Sequence, residues 1–165
     1  MFKSIKLMAG LVAFASLAAP AGAAEVQRFG ISVQSMGDPF LLALTKGAEA
    51  EAKRLNPKVQ IIASGFDYDI GKQFVQIDNF IAAGTSLILL NPGDPKAIGP
   101  AIKRAQAAGI PVVAVDTAAE GADATVTTDN LKAGELACQF IVDKLGGKGD
   151  VVIVNDQGEV VDGHR

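Results

Sequence analysis

Residues 86–117 read S-L-I-L-L-N-P-G-D-P-K-A-I-G-P-A-I-K-R-A-Q-A-A-G-I-P-V-V-A-V-D-T, and they carry the clearest fold signal in the sequence. Two continuous apolar runs, residues 87–90 and 111–115, flank a helical segment. Apolar runs without alternation are typical of strands buried on both faces, so the stretch predicts one β-α-β unit of a parallel sheet. Asn91 follows the first run and Asp116 follows the second. Both are therefore expected at the carboxyl edge of the sheet, where open α/β folds bind their ligands.

The helix of this unit has two candidate starting points. Asp94 and Pro95 have the character of a helix cap and a first-turn proline. However, Pro100 follows closely, where it would remove a hydrogen bond from the interior of such a helix. We therefore predict a turn first and a regular helix that begins between residues 98 and 100.

The rest of the chain repeats the strand-plus-helix unit every 25 to 30 residues or so, which is typical of a doubly wound, mostly parallel α/β sheet of flavodoxin-like strand order. Further strands are predicted at residues 26–34, 58–64 and 151–154, with a short extended piece at 124–127. Two apolar stripes are expected to face the core. They are Phe74, Ile77 and Ile81 in the second helix, and Leu131, Gly134, Cys138, Ile141 and Leu145 in the last.

The composition is that of an ordinary globular chain. It has 165 residues, 15 Lys and Arg against 18 Asp and Glu, and 49% hydrophobic residues. Nothing in this charge balance favours nucleic acid as a partner.

The N-terminal segment has the layout of a secretory signal. Lys3 and Lys6 precede an apolar run at residues 7–17, and small residues at 18–24 lead to the polar Glu25. A transmembrane anchor is the alternative, but the run is shorter than the ~20 residues that a span requires. We expect a signal peptide at residues 1–24 and export to an oxidising compartment.

The predicted strands end in acids and amides, among them Asp38, Asn91 and Asp116. Carboxylates and amides match the adjacent hydroxyl groups of a neutral polyhydroxylated ligand, and Phe40 offers a face to the apolar side of a sugar ring. The alternative is that these acids only form turns and helix caps. For Asp116, which no helix follows directly, both interpretations stay open.

At this point the chain resembles a known family. The run M-G-D-P-F-L at residues 36–41, the segment L-L-N-P-G-D-P-K-A-I-G-P-A-I-K-R-A-Q-A-A-G-I-P-V-V-A-V-D at 89–116 and T-D-N-L-K-A-G-E-L-A at 128–137 are similar to the periplasmic sugar-binding proteins of ABC importers, of the ribose/galactose-binding type. The resemblance covers residues 28–154. It implies a type I periplasmic-binding-protein lobe in a two-lobed protein that closes on a sugar and docks on a membrane permease.

The resemblance also implies roles for individual residues. The asparagine or aspartate before the Pro-Phe pair of the family corresponds to Asp38, and the first stacking aromatic corresponds to Phe40. The second aromatic of ribose binders corresponds to Leu41. The sugar-contacting aspartate corresponds to Asp116, but the arginine that follows it in ribose binders is replaced by Thr117. At Leu41 and Thr117 this sequence therefore differs from the ribose-binding members of the family.

The same resemblance divides the chain. It implies an N-terminal α/β lobe at residues 25–127 and an incomplete second lobe at 128–165, with Thr128 and Asp129 at the first hinge crossing. The ligand-binding residues that the family carries on its second lobe would lie at or beyond Arg165 and have no counterpart that can be assigned.

Other chemistries have weaker support in the sequence. No G-x-G-x-x-G follows the first strand and no G-x-x-x-x-G-K-[ST] occurs, so no nucleotide phosphate site is indicated. His164 stands alone, Cys138 is expected to be a small core residue, and Asp67 and Asp69 lack calcium-loop spacing. We predict no catalytic residues, no metal and no cofactor.

Three classes of function remain. The first is the periplasmic binding component of a sugar importer, soluble and monomeric after processing, which binds a monosaccharide or polyol without enzymatic activity. The second is the ligand-sensing domain of a LacI-type transcription regulator or of a chemoreceptor-coupled sugar sensor. The third is an exported enzyme on a flavodoxin-like sheet, although no nucleophile is paired with a base.

Overall fold

A computed structural model of the protein describes residues 25–154 and 160–162. The predicted signal peptide and His164 lie outside these residues. The core is a five-stranded sheet in which every pair is parallel, in the order β2-β1-β3-β4-β5. Its strands are β1 (Arg28–Val33), β2 (Gln60–Gly65), β3 (Leu87–Leu90), β4 (Val112–Val115) and β5 (Ala124–Val126).

A helix follows each of β1, β2 and β3, and helices pack on both faces of the sheet, which confirms the doubly wound α/β fold. The helices are α1 (Pro39–Leu55), α2 (Ile70–Ala82), α3 (Gly99–Ala107) and α4 (Asn130–Leu145). A separate antiparallel pair, β6 (Val152–Val154) and β7 (Val160–Asp162), follows α4. Among the described residues, no helix has both the length and the apolar character needed to cross a membrane.

Local sequence signals set the bounds of α1. The Asp38 carboxylate accepts hydrogen bonds from the backbone N–H groups of Phe40 and Leu41, at 2.8 and 3.1 Å, and Pro39 occupies the first helical position. These groups satisfy N–H donors that have no partner within the helix. Asn56 ends the helix and donates its side-chain amide to the carbonyl of Val26 at 3.0 Å, which ties the helix end to the residues before β1.

The late start predicted for α3 is confirmed. The Asp94 carboxylate accepts hydrogen bonds from the N–H groups of Lys96 at 2.8 Å and Ala97 at 2.7 Å, and this turn precedes the helix. Pro100 then lies in the first turn of α3, where its missing N–H costs nothing.

The sheet packs helices on both faces. Alternate residues of β1 and β3 point to opposite sides, so each face carries its own apolar cluster. On the α1 side the buried cluster comprises Phe29, Ile31, Val33, Leu41 and Val59. On the α2 and α3 side it includes Ile77, Phe80, Ile88, Leu90, Ile98, Ile102 and Val112. The α1 side keeps an open apolar groove of about 490 Å³ between that helix and the strand residues Leu87 and Leu89.

The apolar stripe predicted for α2 is confirmed at Ile77, but its flanking residues are only partly buried. The structure buries Gln73, Ile77 and Phe80, while Phe74 and Ile81 lie at the margin of the cluster. Phe80 can approach β1 because Gly30 has no side chain there. A Cβ built on Gly30 would lie 2.9 Å from the Phe80 ring.

The prediction that α4 buries an apolar stripe is wrong for the described part of the chain. The helix has no buried residue, and Cys138, expected in the core, is exposed. Its amphipathic pattern is present in the sequence, but none of the described residues covers that face of the helix.

We expect Gly30→Ala to destabilise the protein by about 1–3 kcal/mol, because the added methyl group displaces a fully packed aromatic ring. Urea unfolding measures this change. Gly47→Ala is the matched control, since a Cβ on Gly47, in the middle of α1, has open space around it. Alanine there should stabilise by about 0.5–1 kcal/mol. Equal effects of the two substitutions would contradict the packing described for Gly30.

The turn before α3 should give stability a defined pH dependence. The backbone N–H groups of Ala97 and Lys96 hold the pKa of the Asp94 carboxyl below its ordinary value of 3.8. The ionised group therefore stabilises the fold above that pH, and its contribution is lost as the pH falls through the lower folded-state pKa. Asp94→Ala should lower the free energy of unfolding at neutral pH and match the wild type more closely in acid.

Asp94→Asn is the control for this comparison, because an amide oxygen can still accept but does not titrate in this range. The difference between Asp94→Asn and Asp94→Ala should not depend on pH. A wild-type advantage over Asp94→Ala that persists unchanged below pH 3.8 would contradict the assignment.

Candidate functional site

The residues predicted to bind ligand lie along one edge of the sheet, because parallel strands bring their carboxyl ends together. The pairing of β1 with β3 and of β3 with β4 places the ends of these three strands side by side. Asp38 follows β1, Asn91 follows β3 and Asp116 follows β4. Strands β1 and β4 are separated by β3 alone, so their ends lie two strand spacings apart, or about 10 Å.

Asn91 joins the three strand ends. Its backbone N–H donates to the carbonyl of Ser32 at 2.8 Å, and its side-chain oxygen accepts from the N–H of Gln34 at 3.3 Å. Its Nδ2 donates to the Asp116 carboxylate at 3.1 Å and to the carbonyl of Val115 at 3.4 Å. The side chain is fully buried, so it contacts β1 and β4 from inside the protein. Direct contact of Asn91 with a ligand stays a prediction.

Asp116 directly follows β4, and the next element along the chain is β5 rather than a helix that its carboxylate could cap. Its φ is 66°, in the left-handed region, which aspartate tolerates better than most residues. Its N–H donates to the carbonyl of Val126 at 2.9 Å, and its carbonyl accepts from the hydroxyl of Thr127 at 2.6 Å. The residue is half-buried. Asn91 donates to Oδ2, while no hydrogen bond from residues 25–154 reaches Oδ1.

Phe40 and Leu41 differ in exposure although they are neighbours. Phe40 in the first turn of α1 is 61% exposed, so its ring is available for stacking. Leu41 is 4% exposed and belongs to the cluster under α1. Contact of the Leu41 side chain with a ligand stays a prediction.

Asp38 has a structural role in addition to its predicted one. Both hydrogen bonds that cap α1 use its Oδ1 atom. The interpretation of this acid as a helix cap is thus confirmed, while its contact with a ligand stays a prediction. In the same way Asp69 caps α2 by accepting from the N–H of Lys72 at 3.2 Å, and Asp67 pairs with the Lys72 ammonium at 3.3 Å.

The remaining predicted residues lie beyond β4. Thr117 is half-buried, and its N–H donates to the carbonyl of Val115 at 2.8 Å in a tight turn. Asp129 caps α4 by accepting from the N–H of Lys132 at 2.9 Å. Thr128 is exposed. The hinge role of Thr128 and Asp129 stays a prediction.

The residue that the sequence interpretation missed is Gln73. It is fully buried in α2, its Nε2 donates to the Ser32 hydroxyl at 3.2 Å and to the Asn91 carbonyl at 3.0 Å, and its Oε1 accepts from the N–H of Gly93 at 2.9 Å. The available signal was a glutamine four residues before Ile77, on the same face of the helix as the core.

Comparisons with known proteins show which family this chain is similar to. A family model described as a periplasmic binding protein domain matches residues 29–163. The ribose import binding protein of Bacillus subtilis strain 168 is 41% identical over 119 residues, which cover 71% of this chain and 38% of the relative. The xylitol-binding protein of Mycolicibacterium smegmatis is 31% identical over 132 residues, which cover 79% of this chain and 37% of the relative.

A solved structure agrees with the sequence comparisons. The crystal structure of an ABC transporter solute binding protein from Mycobacterium smegmatis with bound glycerol superposes with a TM-score of 0.70 at 36% identity, over 76% of this chain and 43% of that one. The chain therefore spans well under half the length of these three proteins. Since the family model matches residues 29–163, which is most of the sequence, the chain belongs to the periplasmic binding protein domain family.

Proposed function

We propose that the chain forms one side of the ligand cleft of a periplasmic solute-binding component of an ABC importer, and that the ligand is a monosaccharide or a related polyol. The observation that carries the proposal is the Asp116 carboxylate. One oxygen is fixed by Asn91, the other has no partner among the described residues, and the group lies at the carboxyl edge that also presents Phe40. The names of the matched relatives, which mention ribose, xylitol and glycerol, point to the same class of ligand.

The proposed interaction is binding without bond making. Asp116 Oδ1 accepts a hydroxyl hydrogen bond, the Phe40 ring stacks on the apolar side of the ligand, and Asp38 offers its Oδ2 atom as a second acceptor. The matched relatives are binding proteins rather than enzymes.

The ligand is proposed to differ from ribose in how it is held. Leu41 is aliphatic and buried in the α1 cluster, so it offers no second aromatic face beside that of Phe40. Thr117 offers a hydroxyl group where a guanidinium would bind two acceptors at once. Fewer fixed contacts favour a smaller or more flexible polyhydroxylated ligand.

The domain division and compartment belong to the same proposal. Residues 1–24 direct export to the periplasm, residues 25–127 form the first lobe, and residues 128–165 begin a second one after the hinge at Thr128 and Asp129. The end of the five-stranded sheet at Val126 and the separate β6-β7 pair support this division. The partner at the membrane is proposed to be the permease of the importer.

A titration of the isotopically labelled chain, followed by nuclear magnetic resonance, tests the proposal. Pentoses, hexoses and polyols should shift the amide signals of Phe40, Asp116 and Thr117, with affinity weaker than micromolar because the chain contacts only one side of the ligand. Asp116→Ala should abolish the shifts. Absence of any shift with every compound, or shifts confined to other regions of the chain, would reject the proposed function.

Two substitutions of Asp38 separate its role as a helix cap from its proposed contact with the ligand. Asp38→Asn keeps an oxygen that caps well, so the unfolding free energy should stay near the wild-type value while ligand affinity falls. Asp38→Ala should also destabilise the chain by about 1 kcal/mol. Urea unfolding and the same titration measure both effects, and unchanged affinity in Asp38→Asn would leave the residue with its structural role alone.

A further inference from the structure

We propose that Gln73 and Asn91 are positioning residues that hold the free oxygen of the Asp116 carboxylate toward the ligand and so set discrimination between hydroxylated and deoxygenated ligands. This inference rests on the proposed function. Both residues are fully buried in the described structure. Their proposed effect on the ligand is therefore indirect and acts through Asp116. The hydrogen bonds that connect these residues run from α2 to the end of β4.

The segment after β3 is fixed from α2. Gln73 donates to the Asn91 carbonyl and accepts from the N–H of Gly93, at 3.0 and 2.9 Å, so one side chain holds both ends of a three-residue segment. Gly93 also requires the absence of a side chain. A Cβ there would lie 2.8 Å from the ring of Phe66 and 3.3 Å from Gln73 Oε1. The backbone of Asn91 is therefore held from α2 on one side and from β1 on the other.

Asn91 in turn restrains Asp116. The Asn91 amide donates to both the Val115 carbonyl and the Asp116 carboxylate, so it fixes the carboxylate relative to its own backbone. Without that donor the half-buried side chain of Asp116 would be free to rotate. Because Asn91 donates to Oδ2, it leaves Oδ1 as the oxygen that can accept from a ligand.

The network also extends to the edge strand. The Ser32 hydroxyl accepts from Gln73 and donates to Gln76 Oε1 at 2.8 Å, and Gln76 Nε2 donates to the Gly65 carbonyl at 2.8 Å. Hydrogen bonds from α2 thus reach the carboxyl ends of β1, β2 and β3, and Asn91 continues them to β4.

Stability alone does not account for this network. Gln73 lies on the same face of α2 as Ile77 and Phe80, inside a cluster of aliphatic and aromatic side chains. Replacing both partners of a buried hydrogen bond by apolar groups of similar shape is often close to neutral for stability. A fully satisfied polar network instead fixes one arrangement of the groups that it joins. The group at its outer end is the carboxylate proposed to bind the ligand.

The test uses the whole chain and three substitutions of similar character. Asn91→Leu removes the donor to Asp116, and Gln73→Met removes the two bonds that hold the segment after β3. Thr85→Val is the matched control, because the Thr85 hydroxyl is buried and donates to the Phe80 carbonyl at 2.6 Å at the opposite, amino edge of the sheet. Unfolding free energies of all three variants show how far each is destabilised.

In the experiment with ligand, the measured quantity is the dissociation constant of a monodeoxy derivative divided by that of the parent compound. In the wild type, removal of the one hydroxyl that Asp116 accepts should weaken binding on the order of tenfold, as measured with monodeoxy derivatives of the best-binding compound. In Asn91→Leu and Gln73→Met the ratio should fall to about threefold or less, whereas Thr85→Val should keep the wild-type ratio. Wild-type discrimination in both site variants, or equal loss in the control, would overturn the inference.

A second readout needs no ligand and separates this inference from the proposed function. Three-bond couplings should show one χ1 rotamer for Asp116 in the wild type and in Thr85→Val, and rotamer averaging in Asn91→Leu. If no compound binds the wild type, the proposed function and ligand discrimination both fail, and these couplings alone decide whether Asn91 positions the carboxylate. A single, unchanged rotamer in Asn91→Leu would overturn the positioning role. If Asn91→Leu does not fold, the same measurement on Gln73→Met decides it.

Discussion

The hydrogen bonds of one buried amide, that of Asn91, hold the carboxyl edge of this sheet together. Parallel pairing brings the ends of β1, β3 and β4 to the same side, but it does not by itself fix the segments that leave them. Asn91 bonds to backbone groups after β1 and at the end of β4, and to the carboxylate of Asp116. The geometry of the candidate site is therefore a consequence of how the strands end, and it depends on a residue that is not exposed.

The two faces of the sheet contribute in different ways. The α1 face is mostly apolar, although the helix also buries Thr45, and it presents Phe40 at the edge while it buries Leu41. The α2 face combines close apolar packing, where the Phe80 ring lies over Gly30, with a polar network around Gln73. Buried polar groups are costly unless they are fully paired, so the pairing of Gln73 restricts which arrangements of the strand ends are possible.

Membership in the periplasmic binding protein domain family allows the carboxyl edge of the sheet to be compared with related proteins. The solved structure with bound glycerol, and the relatives named for ribose and xylitol, are all more than twice as long as the matched region of this chain. A carboxylate with one oxygen bonded to Asn91, and the other without a partner among the described residues, suits ligands rich in hydroxyl groups, because the second oxygen can accept from a hydroxyl without rearrangement. Preorganisation of this kind lowers the ordering cost of binding.

Much of the fold was predictable from sequence. The continuous apolar runs identified the parallel strands, and the acids and prolines at residues 38–39 and 94–100 gave the start of α1 and the late start of α3, since capping depends on neighbours within a few residues. The order of motifs also indicated the family. The placement of Asn91 and Asp116 at one edge followed from their positions after two neighbouring strands.

Other features depended on contacts between segments far apart in the chain. Periodicity alone did not distinguish a stripe of Phe74, Ile77 and Ile81 from one of Gln73, Ile77 and Phe80, because a missing side chain at Gly30 decides which ring can approach β1. The spacing of apolar residues in α4 likewise did not predict that Cys138 is exposed in the described structure. Strands β1 to β6, the helix caps and the family follow from local chemistry and the order of motifs along the chain. The burial of Asn91 and its bond to Asp116 do not, because that contact requires β3 and β4 to lie side by side.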